Sequence, residues 1–145
     1  MKKAQNGNST DAAPIGFSRP RTQGEAEAAI SRSFIQFEKA NMGRGPLETR
    51  TYLIDDLVIV RLKGVLTPSE QRLAEVAERG VYLIKQARLE LLHGRRAELE
   101  ATILDLLGVG VRSLHTDTCA STGEKVVVIS LQQRPAFPEG VVKAK

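Results

Sequence analysis

The sequence predicts an α+β domain, a four-stranded antiparallel sheet with helices on one face. Three observations lead there. Two segments carry apolar residues at helical spacing behind clear start signals, and four short stretches are rich in β-branched residues and sit in pairs around turns. The two pairs also follow the same local pattern, helix, glycine-bearing turn and hairpin, once over 22–64 and again over 80–132. The predicted order is α-β-β-α-α-β-β, with a duplicated helix-hairpin unit, and the economical way to bury both units is one sheet under a helical layer.

The first helix is expected from Thr22. Thr22-Gln23-Gly24-Glu25 fits a capping box, in which hydroxyl and carboxylate satisfy free N–H groups of the first turn. Ala26, Ile30, Phe34 and Phe37 form its apolar stripe, and Gly43 is placed to end it in the left-handed region. Leu47–Asp55 and Leu57–Lys63 read as strands around Asp55-Asp56. A two-residue turn there pairs 54 with 57, 52 with 59, 50 with 61 and 48 with 63. Leu53, Val58, Thr51, Val60, Thr49 and Leu62 then share the core face. Tyr52, Ile54, Leu57 and Ile59 lie on the other face with Arg50, Arg61, Glu48 and Lys63.

Thr67-Pro68-Ser69-Glu70 supplies an N-cap, a first-turn proline and a capping glutamate. An unbroken helix from there to Leu107 would run about 60 Å, too long for this domain. Gly80 is the expected break, with His93-Gly94 the second candidate, so a short helix 68–79 and a longer one 80–107 are predicted. On the longer helix Ile84, Ala87, Leu91, Leu99, Ile103 and Leu106 are assigned to the core. Gly108-Val109-Gly110 ends it, and Val111–Thr118 and Lys125–Leu131 form the second hairpin. Residues 1–21 and 134–145 read as flexible tails flanking a single domain at 22–133.

Composition narrows the function. The chain has 145 residues, enough for one domain with its own core, and 41% are hydrophobic but only 4% aromatic. The net charge of +4 comes from Lys and Arg interleaved with Asp and Glu, without the aromatic platform of a single-strand binder, so nucleic acid is not an expected partner. The lone Cys119 leaves no intrachain disulfide or Cys-based zinc site and points to a reducing compartment. No apolar run approaches the ~18 residues of a membrane span, and the polar residues after Met1-Lys2-Lys3 make no signal-peptide core. The expectation is a cytoplasmic protein, peripheral to a membrane only through a partner, without metal or cofactor.

No catalytic template is present. His115 and Asp117 share a strand face and could act as a base with its orienting carboxylate, but an incidental surface pair is the plainer reading. Gly43-Arg44-Gly45-Pro46 follows a helix, the wrong end of the dipole for phosphate, and reads as a cap and turn. Cys119 reads as a loop thiol and His93 as a surface residue. Arg50 opposite Arg61 is the most physical signal, since like charges at a cross-strand pair call for an acidic group between them. A salt-bridge network with Glu48 or Asp residues answers that need, and so does a bound anion held by Arg50, Arg61 and Lys63. Tyr52, Ile54, Leu57 and Ile59 beside these charges form an apolar patch of the kind that marks a partner surface, and it would equally suit a homodimer.

Phe37-Glu38-Lys39-Ala40-Asn41-Met42-Gly43-Arg44-Gly45-Pro46, Arg50-Thr51-Tyr52, the run from Val60 to Glu70, and Ser113-Leu114-His115-Thr116-Asp117 together resemble the MpsC-like domain family, small bacterial proteins grouped as a domain of unknown function. The resemblance covers roughly 23–132. It implies a small soluble bacterial component named after a sodium-translocating, membrane-potential-generating system. It also implies companions such as a membrane proton- or cation-channel subunit and a large soluble partner linked to inorganic carbon uptake. The family offers no agreed catalytic residues, so Arg44, Arg50, Arg61, Lys63, His115 and Asp117 are carried over only as members of matching motifs. The resulting expectation is a non-enzymatic accessory or regulatory protein docking on a membrane transport complex. The alternatives are a sensor of a small anion such as bicarbonate, phosphate or a nucleotide, and an enzyme using His115 and Asp117.

Overall fold

The computed structural model describes residues 19–138 and, as backbone, 140–141. Helix α1 spans Gln23–Met42, β1 Glu48–Ile54, β2 Leu57–Lys63, α2 Pro68–Val76, α3 Gly80–Leu107, β3 Val111–Cys119, β4 Glu124–Leu131, β5 Ala136–Phe137 and β6 Gly140–Val141. The predicted order and the antiparallel sheet are both observed. Thr22 caps α1 by accepting from Glu25 N–H at 3.1 Å, and Gly43 closes it at φ 81. Thr67 and Glu70 form a full capping box at the start of α2.

The strands run β1-β2-β4-β3, so the second strand of each hairpin lies at the centre. The first hairpin has the expected register, with Arg50 opposite Arg61 and Tyr52 opposite Ile59. Asp55 takes φ 54 at its turn, the left-handed conformation that so short a connection demands and Asp tolerates. Val60 faces Val127 across the central pair, with Thr51 outside Val60 and Thr116 outside Val127. The two helix-hairpin units are thus related by an approximate two-fold axis passing between Val60 and Val127.

The core lies between the sheet and the helices α1 and α3. Ile30, Phe34, Leu53, Val58, Val60, Leu62, Ile103, Val127, Ile129 and Leu131 are almost wholly enclosed. α2 buries no residue of its own.

The helical region breaks once. α3 runs unbroken through His93 and Gly94, whereas the chain turns sharply at 77–79, where a Cβ on Gly80 would stand 2.1 Å from the Leu73 carbonyl oxygen. The stripe assigned to α3 needs correction. Ala87 and Leu91 are exposed, and the buried row is Ile84, Arg88, Leu92, Leu99, Ile103 and Leu106. An arginine displaced the alanine because two carboxylates wait for it inside.

At the C-terminal end the fold continues past 133. Phe137 belongs to the core and β5 pairs with β6, so the segment from 134 expected to be a tail contributes packing. The segment 1–21 lies outside the described residues, apart from 19–21.

Candidate functional site

The outer face of the sheet is built by strict alternation. Across the four strands it carries a row of Arg50, Arg61, Val126 and Asp117, then a row of Tyr52, Ile59, Val128 and His115. A third row begins with Ile54 and Leu57 and continues through Ser130 to Ser113. Ile54, Leu57, Ile59, Val126 and Val128 are half-buried and Tyr52 is 41% exposed. The helices pack on the opposite face. An apolar band therefore crosses the sheet, with a charged border along β1 and β2.

The acidic partner of Arg61 is Glu124, which comes from β4, on the side away from Arg50. Arg61 donates to it at 2.5 Å, and this hydrogen bond with its attendant charge raises the guanidinium pKa. Glu48 lies 3.9 Å from Lys63. Arg50 has no ion-pair partner among the described residues.

Arg44 is elsewhere. Its Nη1 donates to the Leu66 carbonyl at 2.6 Å, tying the turn after α1 to the approach to α2. His115 and Asp117 share the outer face, but Asp117 bends round the β3 edge, pairs with Lys85 of α3 at 3.1 Å and accepts from the Thr118 N–H. No hydrogen bond joins it to His115 among the described residues. Cys119 is exposed, and hydrogen bonds from Ser121 and Thr122 lower its thiol pKa to about 7. No three His, Cys, Asp or Glu side chains converge as metal ligands among the described residues.

Beneath the sheet lies a charge cluster that sequence reasoning missed. Arg88 is 7% exposed, Glu38 1% and Lys125 5%. Arg88 grips Glu70 with two hydrogen bonds of 2.8 Å, donates to Glu38 at 3.3 Å, and reaches the Val65 carbonyl at 2.9 Å. Lys125 donates to Glu38 at 2.7 Å and stands 5.4 Å from the centre of the Phe37 ring. Two cations and two carboxylates from α1, α2, α3 and β4 thus balance within the interior. Burial alone would push the Arg88 pKa down, but the bonds to Glu70 and the charges of both carboxylates leave it raised. The signal was present in the sequence. Glu38 lies four residues after Phe34, Arg88 four after Ile84, and Lys125 two before Val127, all on buried rows.

This geometry defines a helix-backed sheet protein with one open face that mixes apolar and basic side chains. The chain belongs to the family described as Na+-translocating membrane potential-generating system (MpsC), matched over residues 22–133. It is similar to the uncharacterized protein YbcI of Bacillus subtilis (strain 168), 40% identical over 111 residues that make up 77% of this chain and 89% of that protein. No solved structure matches it. No helix among the described residues is long and apolar enough to cross a membrane.

Proposed function

We propose that this protein is a non-enzymatic accessory of a membrane-potential-generating, cation-translocating system, and that it docks on a protein partner of that system through its open sheet face. One observation carries the reading: the uncovered band of Tyr52, Ile54, Leu57, Ile59, Val126 and Val128, bordered by Arg50 without an ion-pair partner among the described residues. An apolar band gives a partner area to bury, and an arginine at its border gives the partner an acidic counterpart to place. The description of the family supports the kind of system. The complementary surface is an apolar segment carrying a carboxylate, on a cytoplasmic part of a membrane subunit.

The test is affinity capture from native cells with wild type and Arg50→Glu. Recovery of a subunit of a cation-translocating membrane complex with wild type, lost with Arg50→Glu, is the expected result. Equal recovery with both would remove the sheet face from the account.

A further inference from the structure

On the helical side of the sheet, a cleft of about 210 Å³ opens between α3 and β3. Tyr82, Leu89 and Leu92 give it apolar walls, and Arg88, Lys125 and Thr116 also line it. We propose that this cleft binds a small amphipathic carboxylate, with the charged end against Lys125 and Arg88 and the apolar body against Leu89 and Leu92.

Size allows it. An apolar cavity of about 150 Å³ holds benzene, so this cleft accommodates a ring or short branched chain together with a carboxylate. The donors favour it. Four of the five N–H groups of Arg88 are engaged, by Glu70 twice, Glu38 and Val65. Lys125 has one hydrogen bond, to Glu38. Donor capacity remains on both cations, while Glu38 and Glu70 do not line the cleft. Lys85 pairs with Asp117, and Glu38 and Glu70 offset Arg88 and Lys125 from behind, so the cleft offers an anion directed N–H donors rather than surplus charge. A singly charged carboxylate can use those donors at a smaller desolvation cost than a phosphate dianion against the apolar walls.

The internal duplication adds an independent observation. Thr51 and Thr116 occupy equivalent places, each outside one valine of the central pair. Thr51 shares a 2.7 Å hydrogen bond with Ser31 of α1. The buried Thr116 hydroxyl has no partner among the described residues, and Thr116 lines the cleft. A buried hydroxyl without a partner is costly, and a turn of the Thr116 side chain toward the cleft would let a ligand oxygen satisfy it. Lys85 and Asp117 pair across the rim at 3.1 Å.

The test is a titration of the full chain with benzoate, followed by backbone amide NMR. The expected result is saturable, one-to-one shifts centred on Leu89, Thr116 and Thr118. The uncharged isostere benzamide is expected to bind about tenfold more weakly, since it gives up a charge-assisted hydrogen bond. Leu89→Trp, which fills the cleft from a partly exposed helix position, should abolish the shifts. Thr116→Val should weaken binding about threefold, consistent with one lost hydrogen bond. Circular dichroism checks that both variants keep the fold. Absence of localised shifts with benzoate at millimolar concentrations would overturn the proposal. So would equal binding of benzamide, inorganic phosphate moving the same amides as strongly, or undiminished binding by a folded Leu89→Trp variant.

Discussion

Arg88 and Glu70 meet in a two-pronged ion pair, both bonds at 2.8 Å, and that pair fastens α2 to the rest of the fold. α2 buries no side chain, so apolar packing does little to hold it. The same glutamate caps its helix through the Thr67 N–H, which couples the start of α2 to the position of α3.

Replacing Arg88 should therefore be among the most damaging single changes available. Arg88→Met leaves the half-buried Glu70 without its counter-charge and the buried Glu38 with Lys125 alone, and should cost about 3–5 kcal/mol. Arg95→Met removes an exposed pair with Glu98 and should change stability by less than about 0.5 kcal/mol. Urea denaturation of the two variants checks the contrast.

Acid should loosen the same joint. Burial pushes the Glu70 carboxyl upward, but the Arg88 hydrogen bonds, the Thr67 contacts and the Arg88 charge outweigh it and leave the pKa lowered. A carboxyl whose pKa is lower folded than unfolded contributes its full stability above the unfolded value, about 4.3, and loses it as pH falls through the folded value. Glu70→Gln keeps a capping side chain but not the charge. Its stability deficit relative to wild type should be widest near neutrality and shrink below about pH 4. Urea midpoints across that range provide the measurement.

Two glycines in one helix should respond oppositely to alanine. At Gly80 the added Cβ would lie 2.1 Å from the Leu73 carbonyl oxygen, so the junction between α2 and α3 must shift and the melting temperature should fall. At Gly94 the same atom meets nothing within 4 Å, inside a continuous helix. Gly94→Ala should stabilise by about 0.5–1 kcal/mol. Thermal unfolding followed by circular dichroism distinguishes the two.

Cys119 offers a check on local chemistry. With its pKa lowered to about 7 by Ser121 and Thr122, the thiol should react with a disulfide reagent along a pH profile centred near that value. Ser121→Ala should move the midpoint upward, because it removes the leading hydrogen bond to the thiolate.

Much of the fold was legible because it rests on local rules. The caps at Thr22 and Thr67, the Asp55-Asp56 turn and the alternation of β1 and β2 each follow from neighbouring residues. The order β1-β2-β4-β3 is set by long-range packing, and it is what brings His115 onto the same face as Arg50. The outer patch was legible as far as the first hairpin reached. Glu124 as partner of Arg61 was not, since the two are 63 positions apart. The interior charge cluster escaped for a related reason. Apolar patterning treats Arg88 as a surface residue, and only the arrival of Glu38 from α1 and Glu70 from α2 makes its burial tolerable. Phe137 was missed because prolines on both sides made the segment read as tail.

The most direct test of the docking account is site-specific photocrosslinking in native cells, with p-benzoylphenylalanine in place of Tyr52. Tyr52 is the exposed aromatic of the open face, so the probe replaces a ring with a ring. The account predicts an adduct with a subunit of a cation-translocating membrane complex, and its loss when Arg50→Glu is added. An adduct formed only with a second copy of this chain, or no adduct at all, would contradict it.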